Sequence, residues 1–215
     1  MTTPRPAAAW VGEGILAHPG GARSARVHEQ VLTATASLLD EGGCAAATVD
    51  AISGRSGVSK ATIYKHWPSR TAIAAKAFGR MMASDAPLPD TGTTAGDLTE
   101  MVRRVSAFYA SPRGRIFAQL VAACVGDPAG APYFRAYFLA GQRAAITELW
   151  DRARERGDVD QDISIDDVID ILFGPLIFRL LTDHLGLTEE NATRLAETAL
   201  SGLLRSESNE PTSRS

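Results

Sequence analysis

The chain is poor in cysteine, in lysine and in the residue patterns that catalysis uses, and each shortage narrows its role. Two cysteines, Cys44 and Cys124, lie far apart without Cys-x-x-Cys spacing. They form no disulfide framework and fit two buried thiols in a reducing cytoplasm. His18, His28, His66 and His184 are scattered, with no second ligand at metal spacing beside any of them, so no metal is expected. Asp158, Asp160 and Asp162 imitate the opening of a calcium loop, but Gly is missing at the sixth position and Ile169 stands at the twelfth. The longest apolar candidate for a membrane span, 165–185, carries Asp166, Asp167, Asp170, Arg179 and Asp183. No basic segment followed by an apolar one marks the N-terminus as an export signal. The stretch from Gly54 to Lys60 fails the spacing of a phosphate loop, and neither a Gly-x-Ser-x-Gly elbow nor a Gly-x-Gly-x-x-Gly fingerprint occurs. The carboxylate pairs Asp166/Asp167 and Glu189/Glu190 fall at helix starts, where they complement the helix dipole. The composition therefore points away from an enzyme, a cofactor and a membrane.

Charge is present but unevenly placed. The net charge is −3, yet residues 23–80 hold eight basic and four acidic side chains, whereas residues 97–205 hold twelve and sixteen. All three lysines, Lys60, Lys65 and Lys76, lie in the first block. A basic head on an acidic body confines phosphate attraction to one end of the molecule.

The remaining pattern is helical throughout. Residues 1–22, rich in Pro, Ala and Gly, read as a flexible arm. Val27, Val31, Ala34, Leu38 and Leu39 then form one apolar face that stops at Gly42-Gly43. Thr48 caps a short second helix with Ala51 and Ile52 inward. Gly57 permits a tight turn, Val58 plugs it, and Ser59 caps a third helix that Trp67-Pro68 ends. Ser69 caps a fourth, over about 70–83. Residues 85–96 read as a linker, followed by helices at about 97–110, 112–125, 132–157, 164–185 and 188–206. The expected organisation is all-α: a small N-terminal three-helix head over 23–82, a larger helical body over 97–206, and a flexible tail over 207–215.

Two short helices about a Gly turn make a helix-turn-helix, whose second helix enters the DNA major groove. With Ile63 and Trp67 turned inward, Lys60, Ala61, Tyr64 and Lys65 point outward. A lysine donates to guanine O6 and N7, and an alanine methyl meets a thymine methyl.

Thr48, Ile52, Gly57, Val58, Ser59, Tyr64 and Trp67 match the pattern Thr-x-x-x-Ile-x-x-x-x-Gly-Val-Ser-x-x-x-x-Tyr-x-x-[Phe/Trp], and the stretch from about 25 to 80 resembles the TetR family of bacterial transcriptional regulators. The resemblance implies phosphate contacts for Thr48, Thr62, Tyr64, His66 and Arg70, and places Ser59 at the same surface. It also implies a homodimer on a palindromic double-stranded operator, most often a repressor released by a small ligand. Gly114 and Arg115 resemble a helix start in one subgroup, with Leu120 one residue earlier than its pattern has it.

In the body, aromatic residues recur with polar or soft ones between them, the composition of an apolar small-molecule cavity. Phe108, Phe117, Cys124, Phe138, Gln142 and Phe173 are its expected lining. The last two helices carry apolar stripes wider than one face, so Leu172, Leu176, Leu180, Ala196, Ala199, Leu200 and Leu203 are expected at a dimer contact. The competing reading is a helical small-molecule carrier or enzyme with a vestigial helix-turn-helix. The retained Lys60, Lys65 and Arg70 speak against it.

Overall fold

A computed structural model describes residues 21–82 and 87–204; the expected N-terminal arm and C-terminal tail fall almost wholly outside that range. Ten α-helices are formed among the described residues, with no strand beyond an isolated bridge between Val159 and Leu204. The helices are α1 (Ala22–Ala46), α2 (Val49–Ser56), α3 (Lys60–His66), α4 (Arg70–Met82), α5 (Thr94–Ala110), α6 (Pro112–Gly126), α7 (Ala131–Phe134), α8 (Ala140–Arg156), α9 (Ile165–Thr182) and α10 (Glu189–Leu203). None is long and apolar enough to cross a membrane.

The helix ends obey the side-chain chemistry of their caps. Helical geometry in α1 breaks at Gly42 and at Gly43, whose φ of 64° a side chain would resist. Thr93 accepts from the Gly96 N–H at 3.1 Å and starts α5 at Thr94, so the expected linker is three residues shorter at its C-terminal end. Asp183, at φ 51°, closes α9 three residues before the expected limit. The segment read as one helix over 132–157 contains a π-helical turn, Arg135–Leu139, between α7 and α8. The slip leaves the segment helical on both sides, so a helical apolar pattern does not reveal it.

Packing sorts these helices into two compact units. The first joins α1–α4 to residues 112–142. Its centre is α4, where Thr71, Ala72, Ile73, Ala74, Ala75, Ala77 and Phe78 are all buried. Small side chains let α1, α6 and α7 approach it from several sides. Gly79 marks one close approach: a Cβ there would stand 2.7 Å from the Tyr137 carbonyl oxygen in the π-helical turn. The Lys76 ammonium lies over the Tyr137 ring, 5.1 Å from its centroid. Gly43 marks another: Gln119 of α6 accepts the Cys44 N–H at 2.7 Å, and a Cβ on Gly43 would meet that oxygen at 2.5 Å.

The second unit joins residues 87–111 to residues 143–204. α10 runs along α5, and α9 packs on both, burying Leu98, Val102, Leu172, Phe173, Leu176, Leu200 and Trp150. Asp97, 2% exposed, ties the chain before α5 to the end of α8. It accepts from the Thr91 N–H at 2.6 Å and hydroxyl at 2.9 Å, and from Arg156 at 3.1 Å. Burial raises its pKa, but these donors and Arg152 more than offset that, holding the carboxyl below its usual range.

Candidate nucleic-acid interface

The helix-turn-helix is built from caps inward. Thr48 Oγ1 accepts the Ala51 N–H at 3.1 Å, and Ser59 Oγ accepts the Thr62 N–H at 3.2 Å. Each cap satisfies one of the orphan donors that every helix start leaves, at about 1 kcal/mol for its loss. Between them Gly57 adopts φ 69° and donates its N–H to the Ser53 carbonyl at 3.0 Å. Ser53 Oγ donates onward to the Val58 carbonyl at 2.8 Å, closing the turn. Beneath the turn Ile52 and Ile63 are fully buried, and Val58 and Trp67 nearly so. Each such side chain contributes on the order of 1.5–3 kcal/mol, which makes the geometry of two helices of only eight and seven residues definite.

Burial of Ile63 and Trp67 fixes the outward face of α3. Lys60, Ala61, Tyr64 and Lys65 are exposed, Tyr64 to 56%. Thr48, Ser59 and Arg70 are exposed beside them, and Thr62 and His66 are half-buried. All nine residues expected at DNA thus lie on or beside the two short helices. Two hydroxyls are partly committed already, since Ser59 and Thr62 bond to each other at 2.9 Å. Lys60 forms an ion pair with Asp50 at the start of α2, which raises the lysine pKa chiefly through the hydrogen bond. Arg55 bonds Glu41 at 2.5 Å, and Arg80 bonds Glu29 at 3.0 Å. Both arginines therefore offer DNA less free charge than their count suggests.

Sequence reasoning overlooked two participants. Asp50 sits in the first turn of α2, where a carboxylate is ordinary, and its partner Lys60 is ten residues on. His28 of α1 lies 3.2 Å from His66, Nε2 to Nδ1, across 38 residues of sequence. No local pattern signals that pairing.

The residues expected to line a ligand cavity fall into two groups. Phe117 and Phe138 meet at 4.6 Å between ring centroids, with Phe134 and Phe78 against them, in the first unit. Cys124 and Gln142, both half-buried, belong to the same unit. Burial pushes the thiols up, Cys44 to about 11, so neither is a reactive thiolate near neutral pH. Phe108, half-buried beside Tyr109, and Phe173, buried, belong to the second unit. Gln119, on α6 in the first unit, is spent on the α1 kink through its bond to the Cys44 N–H.

The residues expected at a dimer contact are partly spent as well. Leu172, Leu176, Ala196, Leu200 and Leu203 are at most 6% exposed within one chain, while Leu180 and Ala199 are half-buried. The reason is rotational: α5 packs against the face they share. The apolar surface left open on and beyond α9 is Ile171, Phe178, Leu181 and Leu185, each 44–60% exposed.

Comparison with known proteins gives two family matches. Residues 31–77 match the family described as bacterial regulatory proteins, tetR family, and residues 88–199 match the tetracyclin repressor-like C-terminal domain. An uncharacterized HTH-type transcriptional regulator of Bacillus subtilis (strain 168), YdeS, is 32% identical over 162 residues, covering 75% of this chain and 82% of that one. The crystal structure of the TetR family transcription regulator SCO0332 superposes with a TM-score of 0.69 at 32% identity, covering 83% of this chain and 98% of that one. The transcriptional regulator FadR from Bacillus subtilis, solved in complex with stearoyl-CoA, shares the fold at 16% identity and a TM-score of 0.60, over 82% of this chain and 99% of that one.

Proposed function

Because the chain belongs to the TetR family of DNA-binding transcriptional regulators, we propose that it is a cytoplasmic repressor, homodimeric on a palindromic operator and released by a small apolar effector. The observation that carries the DNA-contact assignment is the outward row of Lys60, Ala61, Tyr64 and Lys65 over a fully buried Ile52–Ile63 floor. Thr48, Ser59, Thr62, His66 and Arg70 flank that row and supply donors for phosphates, while the lysines and Ala61 face base edges. Such a surface acts by binding and needs no catalytic group.

The apolar effector is supported by the aromatic cluster of Phe78, Phe117, Phe134 and Phe138, which borders the π-helical turn. FadR, of the same fold, is recorded with a ligand bearing a long acyl chain. Phe78 belongs to α4, the helix that follows the recognition helix, so a ligand that displaces this cluster bears directly on the head. Release requires that the ligand bind the DNA-incompetent state more tightly; affinity alone shifts nothing. The second copy is supported by the open stripe Ile171, Phe178, Leu181 and Leu185.

The test is selection of duplexes from a random library, followed by anisotropy titration of the selected site. A palindromic consensus bound by the wild type, with binding lost in the double variant Lys60→Ala, Lys65→Ala while its melting temperature is unchanged, is the expected result. Selection of no sequence, or unchanged affinity in the double variant, would remove the assignment.

A further inference from the structure

The pair of imidazoles behind the recognition helix holds a tautomer assignment that DNA binding can use. His66 is the last residue of α3, and its Nδ1 faces His28 Nε2 at 3.2 Å. The rings meet edge to face at 4.9 Å and 88°. His28 also lies against the buried Trp67 ring, 4.4 Å between centroids, so its orientation is set by packing. Exactly one proton fits between the two facing nitrogens, and the surroundings decide which ring owns it.

His28 is kept neutral. Burial, then the Lys76 ammonium on α4, then His66 lower its pKa to about 4, so near neutral pH it carries one ring proton. Glu29, the chain neighbour of His28 on α1, is itself paired with Arg80 of α4. His28 Nδ1 is buried with no hydrogen-bond partner. A buried N–H left unbonded is rarer and costlier than a bare acceptor, so the proton belongs on Nε2. His28 Nε2–H then donates to His66 Nδ1, and neutral His66 must carry its own proton on Nε2, on the side of the ring away from His28.

We propose that His28 is a positioning residue for DNA: by donating to His66 Nδ1 it fixes His66 in the tautomer whose Nε2–H donates to a phosphate oxygen. The inference rests on the reading of His66 as a phosphate contact, and it assigns a role to a residue that never touches DNA. It also gives the protein a phosphate donor that needs no positive charge. This differs from Lys65, whose contribution is electrostatic and falls with salt.

The test is a double-mutant cycle on the full-length protein, using a labelled duplex selected by the protein itself. His28→Phe keeps a ring on Trp67 but removes the donor; His66→Ala removes the contact. His66→Ala is expected to weaken binding about 5–10-fold, as for one lost hydrogen bond. His28→Phe is expected to weaken wild-type binding about 3–10-fold yet change nothing when His66 is already Ala. Equal losses from His28→Phe in both backgrounds would reduce His28 to a structural role. No loss from His28→Phe beside a clear loss from His66→Ala would overturn the positioning proposal alone. No loss from His66→Ala would overturn the contact reading, and the positioning with it. Should His28→Phe misfold, nitrogen-15 spectra of the wild-type imidazoles decide the same question. A neutral His28 protonated on Nε2 is expected, and protonation on Nδ1 would refute the proposal.

Discussion

Lys60 illustrates how a residue's availability differs from its presence. In the free protein its ammonium is paired with Asp50 on the neighbouring helix, so a phosphate or base edge must compete with a carboxylate before contact is made. The carboxylate adds repulsion towards the DNA backbone. Asp50→Asn should therefore raise affinity for any duplex about 2–5-fold at low salt and steepen the salt dependence, because more positive charge is free to displace counterions. Anisotropy titrations at several salt concentrations, on selected and scrambled duplexes, measure both effects. A ratio of specific to scrambled affinity that falls as both rise would show that Asp50 restrains non-specific binding. The basic residues were legible in the sequence because the Thr48 and Ser59 caps and the Gly57 turn fix α2 and α3 locally. Their partners were not, since Asp50–Lys60 and His28–His66 meet only once three helices have packed.

At the scale of elements, the same divide between local and distant information recurs. Helix starts at Thr48, Ser59 and Ser69 were readable because each cap bonds an N–H three positions ahead. The π-helical turn and the docking of residues 112–142 on α1 and α4 were not, because they depend on backbone register and on groups far apart in the chain. Asp127 is the clearest such group. It accepts the N–H groups of Ala129 and Gly130 at 3.1 and 2.9 Å and the side chains of Ser69 and Thr71 at the start of α4. Burial raises its pKa, but these four donors outweigh burial and hold it below the ordinary carboxylate range. A lowered carboxyl pKa stabilises the folded state fully above the unfolded value of about 4, and the stabilisation is lost as pH falls through the folded value. Asp127→Asn should cost about 1–2 kcal/mol at neutral pH, with the gap to wild type closing as melts are repeated from pH 7 towards pH 3. A gap that stayed constant with pH would show that the charge contributes nothing.

For the molecule as a whole, the partition of apolar side chains between core and open surface decides how it would assemble. Leu200 is 3% exposed and Phe178 60% exposed. Leu200→Glu should therefore bury a charge inside the second unit and cost about 3 kcal/mol or more, seen as a lower melting temperature. Phe178→Glu should leave the fold of each chain intact and convert a dimer into monomers, seen by sedimentation or light scattering. Unchanged mass for Phe178→Glu would move the contact off α9. Sequence periodicity found both helices and their apolar character; it could not assign faces, because the partner that covers Leu200 is α5, about ninety residues earlier.

Each packing unit draws on two separated stretches of the chain, and this bears on synthesis. As the polypeptide leaves the ribosome, α1 to α4 emerge first, but Phe78 and the alanines of α4 wait for residues 112–142 before they are covered. Residues 87–111 emerge in between and must stay unpaired until α9 and α10 follow near the end. Domains that form from contiguous sequence complete one after another during translation. Here neither unit does so, and the apolar flank of α4 stays open to chaperones or to other nascent chains during the interval.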